Sequence, residues 1–202
     1  MSAGKRILDL VLAVTLGLLL LPLMCVLMAV LLITEGRPLF YISERMRAPG
    51  RGFGLIKLRT MPVGSDKVGG VTGGDKQRQM SRMHRLLRRS RADEIPQLWN
   101  VIRGDMSLVG PRPPLRRYVE DYPDLYGAVL ACRPGITGLA SLVYHAHEER
   151  LLAACDTPEA TEVTYRRRCI PQKARLDLIY ARHRTLCWDL VLIGRTAIKP
   201  FR

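Results

Sequence analysis

The chain has 202 residues, about one domain's length, with enough material for a real core. Its 32 Lys and Arg against 18 Asp and Glu give a formal net charge of +14, which points to anionic partners: lipid headgroups, phosphorylated small molecules or nucleic acid. Five cysteines, Cys25, Cys132, Cys155, Cys169 and Cys187, form an odd set without a CxxC pair, which excludes a disulfide frame or a zinc site and reads as reduced thiols.

The first predicted element is a membrane helix. No charged residue occurs in the 24 positions from Leu10 to Ile33. As a helix this is about 36 Å long, enough to cross a hydrocarbon core of about 30 Å. The apolar region of a cleaved signal peptide runs about 7–15 residues to a small-x-small site; this stretch is longer and has no such site. Pro22 lies near its centre, where it deletes one helical hydrogen bond and presses on the preceding turn. Lys5 and Arg6 precede the stretch and Arg37, Arg45 and Arg47 follow it, so both flanks carry the charge that favours the cytoplasmic side. A helix-break-helix entering and leaving by one face, with its break at Pro22, satisfies both flanks; a plain kinked span strands Lys5 and Arg6 outside. Residues 1–36 are therefore read as a re-entrant membrane segment, and 37–202 as a cytosolic, membrane-associated body. Membrane lipid becomes the default partner, because no nucleic-acid recognition motif accompanies the charge.

Residues 38–61 alternate apolar and polar side chains around a Gly/Pro-rich turn at 49–54, which predicts two short strands in a hairpin. The glycine-rich stretch 62–76 reads as a loop without GxGxxG or P-loop spacing. Over 77–91, Met80, Met83 and Leu87 share one helical face and Arg78, Arg82, Arg85 and Arg89 another. Ile95, Leu98, Trp99 and Ile102 then fall at i, i+3, i+4 and i+7, a short helix stopped by Gly104. A helical segment over 113–130 is interrupted at Pro123, and 132–138 reads as a Pro-Gly turn. Residues 145–170 read as charged and irregular, and 173–199 return to helical periodicity with a break around Thr185. The sum is an α+β unit, mostly α.

The adjacent acids Asp93 and Glu94 admit two readings. Asp93 stands where an N-cap belongs, with Glu94 and Pro96 in the first turn. Yet Arg82, Arg85, Arg88, Arg89 and Arg91 crowd the same stretch. Helix start and arginines together predict a lowered carboxyl pKa and an ionised Asp93 at neutral pH. An ionised Asp can attack phosphorus to give an acyl-phosphate, provided that arginines and a divalent metal spread the charge of the transferred group. Mg²⁺ suits that task, since it takes one or two carboxylates plus phosphate oxygens.

The stretches "KLRTM", "LLRRSRADEIPQLWNVIRGDMSLVGPRP", "RPGITGLA" and "LDLIYARHRTLCWDL" resemble the bacterial sugar transferase family, the monotopic phosphoglycosyl transferases. The likeness runs from the membrane segment to about Pro200, and the long DE-x-PQL-x-NV-x-x-GDMSLVGPRP block is highly specific. The resemblance implies a re-entrant membrane helix and a small catalytic domain at headgroup level on the cytosolic face of the bacterial inner membrane. It implies transfer of a sugar-1-phosphate from a UDP-sugar to polyprenyl (undecaprenyl) phosphate, with release of UMP. Asp93 would be the nucleophile and Glu94 its partner, both holding Mg²⁺; Arg112, Arg88, Lys57 and Arg59 would meet phosphate. Asp177 matches a family acid.

Two positions depart from the family pattern: His84 replaces a glycine in the arginine helix, and "SLVYHAHEER" replaces a "QVNGR"-like stretch, so the donor sugar stays unassigned. His145 and His147 form an HxH without a third ligand nearby, and Trp99 and Trp188 read as core or interface anchors. A non-catalytic basic membrane adaptor is the alternative from a different class.

Overall fold

The computed structural model describes residues 2–61 and 80–198. The glycine-rich loop expected at 62–76, Arg78 of the arginine stripe, and the last residues from 199 onward lie outside the described residues.

The first helix, α1 (Ala3–Glu35), is continuous through Pro22 and ends at Gly36. The expected break at Pro22 is therefore not seen as an interruption: proline removes a single rung, and the flanking rungs keep the helical path. One stripe of α1, including Lys5, Asp9, Ala13, Met24 and Leu31, is buried on the rest of the molecule. Leu18, Leu19, Val26 and Ile33 point outward and are more than half exposed. Only 11% of the most apolar window is buried, so α1 is not the core helix of a globular body.

Both ends of α1 are fastened to that same body. At the start, Lys5 Nζ lies 2.6 Å from Asp189 Oδ2, Arg6 donates to the carbonyls of Val101 and Ile102, and Asp9 Oδ1 accepts from Leu108 N. At the finish, Arg59 donates to the carbonyls of Glu35 and Gly36 at 2.7 and 3.0 Å. Ser81 Oγ donates to Glu35 Oε1, and His84 Nε2 stands 3.7 Å from Glu35 Oε2. His84, where the family pattern has glycine, is thus buried against the helix end.

The expected hairpin is present as β1 (Phe40–Ala48) and β2 (Arg51–Leu58), paired antiparallel with a bulge between Met46 and Ala48. Its turn is tighter than the sequence suggests, with Gly50 at φ 72°. The arginine helix follows as α2 (Arg82–Ser90), started by Ser81 Oγ accepting from His84 N. It stops at Arg91, whose φ of 57° is left-handed, a conformation uncommon for a side chain of this size. A 3₁₀ turn at Ala92–Glu94 leads into α3 (Gln97–Arg103), which Gly104 closes at φ 90°. Asp93 is not the N-cap of α3: it lies inside the preceding turn, and Pro96 occupies the cap position with no side-chain bond.

Two further strands escaped the sequence reading. β3 (Ser107–Val109) and β4 (Gly135–Thr137) form a parallel pair, with β4 inside the stretch read as a Pro-Gly turn. At three residues each they are too short to show periodicity. Their glycines are required by contact: a Cβ on Gly110 would strike the Arg133 carbonyl, and one on Gly138 would strike the Gly110 carbonyl. The chain then forms α4 (Arg116–Asp121) and α5 (Pro123–Val129), divided at Pro123 as expected.

The region read as irregular is helical: α6 (Leu139–Ala153), α7 (Pro158–Thr164) and a π-turn at Tyr165–Cys169 running into α8 (Ile170–His183). Only Ala140 and Leu152 of α6 are buried, so no apolar stripe marks it in the sequence. Charge holds it instead, through Lys173 Nζ donating to both Glu148 oxygens at 2.8 and 3.1 Å. The last helix, α9 (Leu186–Ile198), begins after the expected break. Trp188 packs against Tyr180 with ring centres 5.9 Å apart, whereas Trp99 is 56% exposed and belongs to no core.

Asn100 joins α3 to the hairpin. It is fully buried, donating to the Gly54 carbonyl at 2.8 Å and accepting from Ile56 N at 3.1 Å. Asn100→Ala strands both backbone groups and should cost about 2–3 kcal/mol, read as a lowered denaturant midpoint with unchanged slope in detergent. An unmoved midpoint would show that the hairpin is held otherwise.

Candidate active site

The left-handed Arg91 turns the chain sharply after α2, so that Asp93 and Glu94 face a cavity of about 260 Å³. Lys57 enters from β2, Arg45 from β1, Arg88 from α2, and Arg112 from the segment after β3. Of the residues the sequence nominated, Asp93, Glu94, Lys57, Arg88 and Arg112 come together here. Arg59 does not: it is engaged with the end of α1. Pro22 sits mid-helix in α1.

The two acids are in opposite electrostatic states. Glu94 Oε1 accepts from Arg112 at 2.6 Å and its Oε2 from Arg91 at 3.3 Å. Burial pushes Glu94 up, but Arg112 and Arg91 outweigh it and bring its carboxyl down to about 2. The Asp93 carboxylate accepts no hydrogen bond among the described residues. Burial raises it, the neighbouring Glu94 charge raises it further, and Lys57, Arg88 and Arg112 pull back, leaving it at about 6. The lowered pKa expected for Asp93 is therefore corrected: Arg91 and Arg112 are bonded to Glu94, and burial outweighs the pull of the cations on Asp93. Asp93 is still mostly ionised at neutral pH.

The cations are strained in the complementary sense. Burial, then Arg88 and Arg45, bring Lys57 down to about 8. Burial, then Arg112, lower Arg45, whose Nε has no partner among the described residues. Burial also lowers Arg88, which donates from Nε to Thr60 Oγ1 at 3.0 Å. Of the four cations Lys57, Arg45, Arg88 and Arg112, only Arg112 is raised, chiefly by Glu94. Positive charge is thus concentrated beside one carboxylate that does not consume it, an arrangement suited to a polyanion arriving at Asp93.

The donor set fits a hard cation such as Mg²⁺. Asp93 offers an uncommitted carboxylate, and Glu94 retains lone pairs beyond its two arginine bonds. His145 lines the cavity but His147 lines a different surface, since residues two apart on a helix diverge.

Sequence reasoning missed Arg45, Arg91, Glu148 and Lys173, all of which line the cavity. Arg45 was accessible in principle: it shares the strand face of buried Ser43. Glu148 and Lys173 carried no signal, being 25 residues apart on helices that no periodicity pairs. A second groove of about 810 Å³ adjoins the first, sharing Arg88, Arg91 and His145 and adding Arg85, Arg89 and Arg150.

A bacterial sugar transferase family model matches residues 1–202. The chain is 39% identical over 199 residues to a UDP-glucose:undecaprenyl-phosphate glucose-1-phosphate transferase of Caulobacter vibrioides, covering 95% of this chain and 67% of that protein. It is 31% identical over 200 residues to a protein of the same description from Xanthomonas campestris pv. campestris, covering 97% of this chain and 38% of that protein. It is 28% identical over 208 residues to the exopolysaccharide production protein ExoY of Sinorhizobium fredii, covering 96% and 83% respectively. The chain thus spans well under half of the Xanthomonas relative.

The asymmetry of the acids is measurable. In metal-free protein with ¹³C-labelled carboxyls, Asp93 should titrate near pH 6, while Glu94 stays ionised down to about pH 2. Arg112→Ala should move Glu94 upward. Asp93 titrating in the ordinary carboxylate range would refute this account of the site.

Proposed function

This chain belongs to the bacterial sugar transferase family, and on that premise we propose that it is a phosphoglycosyl transferase carrying a sugar-1-phosphate from a UDP-sugar to undecaprenyl phosphate. The transfer would pass through a covalent phosphosugar on Asp93, as the first membrane step in building a glycoconjugate or exopolysaccharide. The observation that carries the reading is the division of labour between neighbours: Glu94 is clamped by two arginines, and Asp93 is left without a hydrogen bond among the described residues, in a cationic cavity.

A carboxylate oxygen of Asp93 attacks the sugar-linked phosphorus. The bond from that phosphorus to the UMP oxygen breaks, and UMP leaves with the electron pair. An oxygen of undecaprenyl phosphate then attacks the same phosphorus, breaking the aspartyl–phosphorus bond and restoring the carboxylate. Lys57, Arg88 and Arg112 offset the repulsion between an anionic nucleophile and a diphosphate. Glu94 holds Arg112 and Arg91 in place through both steps. Asp93 and Glu94 would also hold Mg²⁺, which when bound supplies further neutralisation of phosphate charge. A basic adaptor surface has no use for a buried carboxylate lacking a partner, so the adaptor reading gains nothing here.

Catalysis would take place at the inner membrane, on its cytosolic face. Support comes from α1: its outward face is apolar, and both ends are tied to one body by Lys5, Arg6 and Asp9 and by Glu35. Fastening of both ends to one body supports the reading in which this segment enters and leaves the bilayer by one side. Leu86, Leu190, Val191 and Ile198, each more than a third exposed, extend an apolar surface suited to lipid.

Asp93→Asn preserves shape and should reduce UMP release from a UDP-sugar by about a thousandfold or more, with membrane extraction unchanged. UMP release near the wild-type rate would remove Asp93 as the nucleophile. Reporters placed ahead of α1 and after α9 should both read cytosolic. An external N-terminal reporter would contradict the re-entrant reading while leaving the chemistry standing.

A further inference from the structure

The cavity has an inner end that the phosphate chemistry does not use. From Glu94 the charged side chains continue through Arg112 to Glu148, Lys173 and Asp177; Arg112 feels the Glu148 charge, and Asp177 feels Lys173 but no other charged side chain. Glu148 and Lys173 form a pair whose side chains are each 15% exposed, and Lys173 Nζ also reaches Tyr165 OH at 3.4 Å. Asp177, one turn beyond Lys173 on α8, is 6% exposed, and its Oδ1 is buried without a partner among the described residues. Between these polar groups the wall is apolar, formed by Leu152, Ile170 and Ala174.

A buried acceptor without a partner is an expensive feature of a folded protein unless something arrives to satisfy it. Here it lines the same cavity as the candidate nucleophile, beside an apolar wall and a preformed ion pair. That combination suits a ring with one apolar face and a rim of hydroxyls. A carboxylate-bearing ring is ill suited at this end, where it would meet the carboxyls of Asp177 and Glu148 and a lysine already bonded to Glu148.

We propose that this inner end is the donor's sugar subsite and that it selects a neutral hexose over a uronic acid, with Asp177 Oδ1 accepting from a ring hydroxyl and the Glu148–Lys173 pair holding the rim. The proposal rests on the phosphoglycosyl transferase reading. It also gives the divergent α6 sequence a purpose, since α6 contributes Glu148.

The test uses the full chain in nanodiscs carrying Asp93→Asn, which keeps the donor intact, and isothermal titration with UDP, UDP-glucose, UDP-galactose, UDP-N-acetylgalactosamine and UDP-glucuronate. At least one neutral UDP-sugar should bind about tenfold more tightly than UDP-glucuronate. Adding Asp177→Asn or Glu148→Gln should weaken that sugar about tenfold while UDP affinity stays within about twofold, which also certifies the fold. Equal weakening of UDP and the UDP-sugar, unchanged sugar binding, or preference for the uronate would each overturn the subsite. If those results came with normal UMP release by the wild-type chain, only the subsite would fall. If the parent Asp93→Asn chain bound neither UDP nor any UDP-sugar, and the wild-type chain released no UMP, the transferase reading would fall with it.

Discussion

The bond between Arg112 and Glu94 sets the character of this site. Two adjacent buried carboxylates would ordinarily raise one another and share whatever cations stand nearby. Here one acid takes two arginines, one on each oxygen, and becomes a fixed anion. Its neighbour inherits burial and repulsion, and so remains an uncommitted carboxylate at about 6. Much of the remaining architecture serves to deliver that one guanidinium. Arg112 follows β3, and β3 is held in parallel register with β4 by Ser107 N donating to the Pro134 carbonyl and Gly110 N to the Thr137 carbonyl. The backbones approach so closely that Gly110, Gly135 and Gly138 leave no room for a Cβ. The "VGPRP" and "RPGITG" motifs are two sides of one contact.

The partner of that contact is the conformation of Arg91. By ending α2 in the left-handed region, it turns the acids into the cavity and places its own guanidinium on Glu94. A non-glycine residue in this conformation has a local cost, which the ion pair and the backbone bonds from Arg91 N to Leu87 and Arg88 carbonyls offset. Strain and charge are thus located in one residue next to the chemistry.

How much of this could be read in the sequence follows from the range of the interactions. The apolar α1, the hairpin, α3 with its glycine stop and the break near Thr185 are local patterns of hydrophobicity and turn chemistry, and they stand where the residues place them. The acid pair and three of its four nominated cations also converge, because the motif order encodes them. Arg59 fails for a physical reason: two residues beyond Lys57 it has left β2, and it lies nearer the end of α1 than the cavity. The sign of the Asp93 shift fails because arginines counted along a chain say nothing about which acid they bond. The helices over 139–164 were invisible because ion pairs to distant partners, rather than an apolar stripe, hold them.

A division of roles follows from this difference in legibility. The residues proposed to meet phosphate sit in ordered motifs on β2, α2, the 3₁₀ turn and the segment after β3, where Glu94 bonds Arg112 and Arg91. The inner wall of the cavity comes from α6 and α8, whose contacts there are an ion pair and an apolar face. Substituting residues on α6 changes the shape and polarity of that wall without touching Arg112, Arg91 or the β3–β4 contact. A scaffold built this way can change what it accepts at one end while the charges at the other end stay fixed. The departure from the "QVNGR"-like stretch falls on α6 and leaves the acid pair intact, which is where a change of sugar, rather than a change of chemistry, should be written.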